Sequence, residues 1–179
     1  MEKETLKAVP LCLPDNWSVK GQTVTGDASK CRTSMKLCSE GIKVLEEIGD
    51  DEIAVICIIG PARSGKSYLL SKLVDGVSFE VGQGVISKTT GIWVGCSQGK
   101  KEIGENQKAR ILLLDAEGAG AVSTEDGGGN VDWDARLYSL CCLLSSVIIY
   151  NSNKVPVSVD LERLQFVANF SRSLFSPDN

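Results

Sequence analysis

Apolar residues at Met35, Cys38, Ile42, Leu45 and Ile48 repeat every three or four positions, the spacing of one helix face. The run stops at Gly49 and the acidic turn Asp50, Asp51, Glu52. The pattern then changes. Ile53 to Ile59 reads IAVICII, a near-continuous β-branched run suited to a strand buried on both faces of a parallel sheet. Beyond a glycine-bearing loop at Gly60 to Gly65, residues Leu69, Leu70, Leu73 and Val74 supply a second helix face. TGIWVGC (Thr90 to Cys96) and RILLL (Arg110 to Leu114) are strand-like, the latter ending at Asp115. Trp133, Leu137, Leu140, Cys141 and Leu144 mark a helical stripe, and Val147 to Tyr150 a further strand. Leu161, Leu164, Val167, Ala168, Leu174 and Phe175 trace a last helix with Asp160 and Glu162 near its positive N-terminal end.

Strands alternating with helices predict an α/β layer whose sheet is mainly parallel and flanked by helices, because parallel neighbours need helical crossovers. Residues 1–34 mix Pro, Asp, Gly, Thr and Lys without periodicity, which predicts an irregular lead-in to one domain over 35–179. Five glycines between Glu117 and Asn130 predict a long mobile loop.

Composition narrows the chemistry. The 179 residues are 42% hydrophobic with a net charge of −4, enough to build a core and without the clustered basic surface that nucleic-acid binding requires. Histidine is absent, which excludes imidazole metal ligands, Ser-His-Asp and Cys-His nucleophile systems, and imidazole bases. The seven cysteines form no C-x-x-C pair and read as reduced thiols. The opening MEKETLKAVPLCLP has no apolar secretory core, which predicts a cytoplasmic chain. Leu137 to Asn153 is uncharged, yet Ser145, Ser146, Asn151, Ser152 and Asn153 break its apolarity, so no intrinsic membrane segment is expected.

Gly60 to Ser67 reads GPARSGKS and satisfies G-x-x-x-x-G-K-[ST] between a predicted strand and a predicted helix. Backbone amides in such a loop turn inward around a phosphate, and a helix N-terminus points at the charge. Lys66 is then placed to neutralise β- and γ-phosphates and Ser67 to ligate Mg²⁺. Asp115 stands at a strand end where a metal-side aspartate belongs, and Asp115-Ala116-Glu117-Gly118 spells D-x-x-G, in which the Gly118 amide senses the γ-phosphate. A strand-terminal Asp also serves as a plain turn cap. Spacing alone leaves Thr89-Thr90-Gly91-Ile92-Trp93 open between a metal-reaching threonine and the start of a strand.

GPARSGKSYLLSKL, SKTTGIWV, ILLLDAEG and LLSSVIIYNS follow one another across roughly Glu40 to Asn153. In this order and at about this spacing they resemble the large GTPase domain of guanylate-binding proteins, the dynamin-related group that includes atlastins. The resemblance implies a P-loop NTPase fold that hydrolyses GTP to GDP and phosphate with Mg²⁺. It implies nucleotide contacts from Gly60, Arg63, Ser64, Gly65, Lys66, Ser67, Tyr68, Asp115 and Gly118, with metal ligands Ser67 and Thr89. Arg63 corresponds to an internal arginine finger that swings onto the phosphates when two GTPase domains pair, in a homodimer or with a related GTPase. Ser87 corresponds to a water-positioning serine, and Glu117 to a glutamate that organises the water and switch network. Ala116 replaces the family's more usual threonine and Lys88 a residue between the serine and the threonine, and neither change is expected to disable the site.

The family's guanine-reading aspartate has no counterpart before Asn179, and Asn153-Lys154-Val155-Pro156 has proline where N-K-x-D needs aspartate. The expectation is therefore the phosphate-binding half of a GTPase domain without its base-reading half, which leaves guanine against adenine selectivity open. The alternative is a non-catalytic interaction module that binds nucleotide weakly and pairs with a full-length relative.

Overall fold

The computed structural model describes residues 5–20, 23–27, 32, 34–81, 89–120 and 131–175. In chain order the elements are β1 (Leu6–Lys7), β2 (Val9–Pro14), β3 (Trp17–Lys20), β4 (Thr23–Gly26), β5 (Met35–Leu37), α1 (Ser39–Glu46), β6 (Ile53–Ile59), α2 (Lys66–Leu73) and β7 (Val77–Ser78). They continue with β8 (Ile92–Cys96), β9 (Lys101–Gly104), β10 (Gln107–Ala116), α3 (Val131–Leu144), β11 (Val147–Tyr150) and α4 (Ser158–Phe175).

The main sheet runs β11-β6-β10-β8-β2-β5, with β9 paired to β10. β11, β6 and β10 are parallel neighbours and form the half that carries the glycine loop; β8, β2 and β5 extend it antiparallel. This is the expected α/β P-loop architecture. Alternation along β6 explains its unbroken apolar run: Val55, Cys57 and Ile59 pack in one cluster with Trp133, Leu137 and Cys141 of α3, while Ile58 packs in another with Leu70 of α2. Helices thus cover both faces, α1 and α3 on one and α2 on the other. α4 lies against α3.

The N-terminal segment corrects the expected lead-in. Val9–Pro14 is a buried strand of the main sheet, and Trp17–Lys20 with Thr23–Gly26 is a hairpin. β2 gains its regularity from non-local partners on both sides, which the local pattern around Pro10 and Pro14 does not display. The first helix also begins later than its apolar spacing suggests. Met35–Leu37 pairs antiparallel with β2, so helical geometry starts at Ser39. The glycine loop at 121–130 and the mixed stretch at 82–88 lie outside the described residues. No helix among the described residues is long and apolar enough to cross a membrane.

Candidate functional site

β6 ends at Ile59, and the chain turns through Gly60 to Gly65 into α2. Gly60 has φ 141°, and a Cβ there would meet the Asn151 carbonyl oxygen at 2.1 Å, so only glycine fits beside the end of β11. Lys66 is buried at the base of the loop, and its Nζ donates to the carbonyls of Gly60 (3.2 Å) and Pro61 (2.9 Å). Burial pushes its ammonium below the usual lysine range, against the attraction of Asp115 and Glu117. Arg63 sits exposed at the loop tip with φ 62°, its carbonyl accepting from Asn153 Nδ2 at 3.5 Å.

Three oxygen-bearing side chains converge behind this loop. Ser67 Oγ donates to Asp115 Oδ2 at 2.6 Å, Thr89 Oγ1 donates to the same oxygen at 3.2 Å, and the two hydroxyls lie 3.2 Å apart. Asp115 is 1% exposed at the end of β10. Burial raises its carboxyl to about 6, although Ser67, Lys66 and Thr89 all pull the other way. Its second oxygen, Oδ1, is buried with no hydrogen-bond partner. An unpaired buried carboxylate oxygen beside two hydroxyls is a hard-oxygen donor set of the kind Mg²⁺ takes, usually completed by water and phosphate. Among the described residues there is no cluster of three or more His, Cys, Asp or Glu to offer a rival metal site.

Gly118 lies against the glycine loop. A Cβ on it would come within 2.3 Å of Ala62 Cα, while Ala62 N donates to Ala119 O and Ala119 N to Gly60 O. The D-x-x-G segment and the glycine loop are therefore in backbone contact.

The structure thus brings Gly60 to Ser67, Thr89, Asp115 and Gly118 into one locus. Tyr68 is 58% exposed on α2, where the Lys72 ammonium sits 5.5 Å from its ring centre. Ser87 lies outside the described residues. Glu117 is 3% exposed: its Oε2 accepts from the Gly91 amide (3.0 Å) and Trp133 Nε1 (3.2 Å), and Oε1 pairs with Arg32.

The sequence reading missed Asn151 and Arg32. Asn151, just past β11, donates from Nδ2 to Ser64 O at 2.7 Å and to Ser64 Oγ at 3.3 Å. A polar residue directly after an apolar strand parallel to β6 was the available signal. Arg32 carried no local signal.

The N-terminal domain of guanylate-binding proteins matches residues 32–178. The chain belongs to the guanylate-binding protein family. It is 32% identical to human guanylate-binding protein 3 over 94% of its own length and 25% of the relative's. It is 31% identical to mouse guanylate-binding protein 3 over 91% of its length and 23% of the relative's. For human guanylate-binding protein 1 the identity is 35%, over 78% of this chain and 23% of that one. The chain spans about a quarter of the length of the family members it matches.

Proposed function

We infer that this guanylate-binding family member binds GTP at the Gly60–Ser67 loop and hydrolyses its terminal phosphate. The observation that carries the reading is the convergence of Ser67 Oγ and Thr89 Oγ1 on Asp115 Oδ2 beside the buried Lys66. Family membership supports the choice of a guanine nucleotide.

In this reading the loop amides and the N-terminus of α2 cradle the phosphates, and Lys66 exchanges its two carbonyl partners for β- and γ-phosphate oxygens. Ser67 and Thr89 would hold Mg²⁺, which when bound would neutralise phosphate charge, and Asp115 orients both hydroxyls. Gly118, pressed on Ala62, presents its amide beside the terminal phosphate. Arg63, exposed at the loop tip, adds positive charge to the transition state when two such domains pair. Ser87 positions the attacking water, with Glu117 organising the segment behind it. Without histidine, the attacking water gives its proton to a phosphate oxygen as its own oxygen bonds to the terminal phosphorus and the bond to GDP breaks, in keeping with phosphoryl transfer that depends on positioning and electrostatics.

Titration with fluorescent GTP and ATP in the presence of Mg²⁺ tests this directly. The expected result is saturable GTP binding that Lys66→Ala weakens by at least ~10-fold, a loss of about 1.4 kcal/mol. If neither nucleotide binds below about millimolar, roughly −4 kcal/mol, the chain is an interaction module and the enzyme reading fails. Equal binding of both removes guanine selectivity.

A further inference from the structure

Arg32 stands outside every motif of the site, yet its side chain is 5% exposed and ion-paired to Glu117, itself 3% exposed. Two indoles enclose it. The guanidinium carbon lies 5.4 Å from the Trp17 ring centre and 5.6 Å from that of Trp133, so the cation is held between aromatic faces while its N–H donor reaches the carboxylate. Trp17 opens β3, and its ring packs over Gly26, its register partner in β4. This hairpin precedes the residues that match the family domain, which begin at 32.

On the other side, Glu117 grips the segment that carries Thr89. Its amide donates to Gly91 O at 2.8 Å, and its Oε2 accepts from Gly91 N at 3.0 Å. Thr89 is two residues upstream of Gly91, and Asp115 is two residues upstream of Glu117. A continuous run of contacts therefore joins the hairpin to both: Trp17 to Arg32, Arg32 to Glu117, Glu117 to Gly91. A carboxylate left in this buried place without its cation carries an uncompensated desolvation cost that drives the side chain to turn away, and Oε2 is then withdrawn from the Gly91 amide.

We propose that Arg32, clamped between Trp17 and Trp133, is a positioning residue for the GTPase site, holding Glu117 and through it the Thr89–Gly91 segment in register with Asp115. The hairpin β3–β4 is thereby part of the catalytic apparatus. The inference rests on the GTPase reading for its kinetic consequence and on the geometry alone for its structural one.

Two measurements on the full chain separate these. The first is amide hydrogen exchange at Gly91 in nucleotide-free protein, compared across wild type, Arg32→Ala, Arg32→Lys, Trp17→Leu and Glu117→Gln. Exchange should rise at least ~10-fold in Arg32→Ala and Glu117→Gln and less in Arg32→Lys and Trp17→Leu, with β6 protection retained. Unchanged Gly91 exchange in folded Arg32→Ala overturns the clamp whatever the nucleotide result. If Arg32→Ala does not fold, Arg32→Lys and Trp17→Leu decide, and wild-type exchange in both overturns it.

The second is GTP turnover. Arg32→Ala should lower kcat ~10-fold or more with nucleotide affinity altered less than ~3-fold, and Arg32→Lys should recover part of kcat. Adding Glu117→Gln should cost little beyond either single change, because the two act as a unit. Losses that multiply, or an equal fall in kcat and affinity, overturn the positioning role. A wild-type chain that neither binds nor hydrolyses GTP sinks the GTPase reading, and the clamp then stands or falls on the exchange data.

Discussion

Asn151 and Ser64 are 87 residues apart in the chain and joined by a 2.7 Å hydrogen bond, from the Asn151 side-chain amide to the Ser64 carbonyl. Because Asn151 N also donates to Ile59 O at 2.9 Å, one residue ties the end of β11 to both sides of the phosphate loop. Asn151→Ala should therefore cost about 1 kcal/mol of stability, the usual net worth of such a bond. Urea denaturation measures that loss, and GTP affinity should fall alongside it. Asn151→Asp should do worse, since a carboxylate cannot donate to the carbonyl.

Arg63→Ala should slow hydrolysis roughly 10³-fold, the scale of an arginine finger, while binding changes little. Single-turnover assays at saturating GTP read the first quantity and fluorescence titration the second. Turnover within a few-fold of wild type removes Arg63 from the chemistry.

Gly118→Ala places a methyl group where Ala62 Cα already lies 2.3 Å away. The glycine loop and the D-x-x-G segment must then separate, a strain of about 1–3 kcal/mol. A fall in thermal midpoint with a matching loss of nucleotide affinity is expected; a normal midpoint would mean the backbone yields freely here.

Asp115 gives a pH dependence with a definite sign. Its carboxyl titrates near 6 in the folded chain against 3.8 for the unfolded reference, so the native state binds the extra proton between those values. In metal-free buffer its contribution to stability falls as pH rises from about 4 to 6 and stays unfavourable above, by about 3 kcal/mol at most. Asp115→Asn should flatten that window and raise the melting temperature at pH 8. Adding Mg²⁺ should stabilise wild type at pH 8 and leave Asp115→Asn unchanged, an asymmetry that differential scanning calorimetry resolves.

The parallel half of the sheet was legible because its information is local. Ile53–Ile59 and the stretch leading to Asp115 announce burial in their own residues, Val147–Tyr150 announces a strand by its apolar run although it lies at the sheet edge and is only half-buried, and GPARSGKS fixes where the phosphate loop must turn. The antiparallel half depends on pairing. Val9–Pro14 becomes a strand by lying between β8 and β5, and Met35–Leu37 leaves the helix it seems to start because β2 offers it hydrogen bonds. Glu117 is visible in the sequence as part of D-x-x-G, but its partners Arg32, Trp133 and Gly91 come from distant parts of the chain that only the fold brings together. Arginine and tryptophan in an aperiodic stretch carry no mark of such an arrangement.

The aromatic arrangement has a spectroscopic consequence. All three tryptophans of the chain border the site: Trp17 and Trp133 face the Arg32 guanidinium, and Trp93 Nε1 donates to Thr90 O at 3.1 Å. Ultraviolet emission from the unlabelled protein therefore reports on the segments around the phosphate loop together with the core layer in which Trp133 packs, and substituting Trp93 leaves a signal confined to the two indoles that enclose one cation.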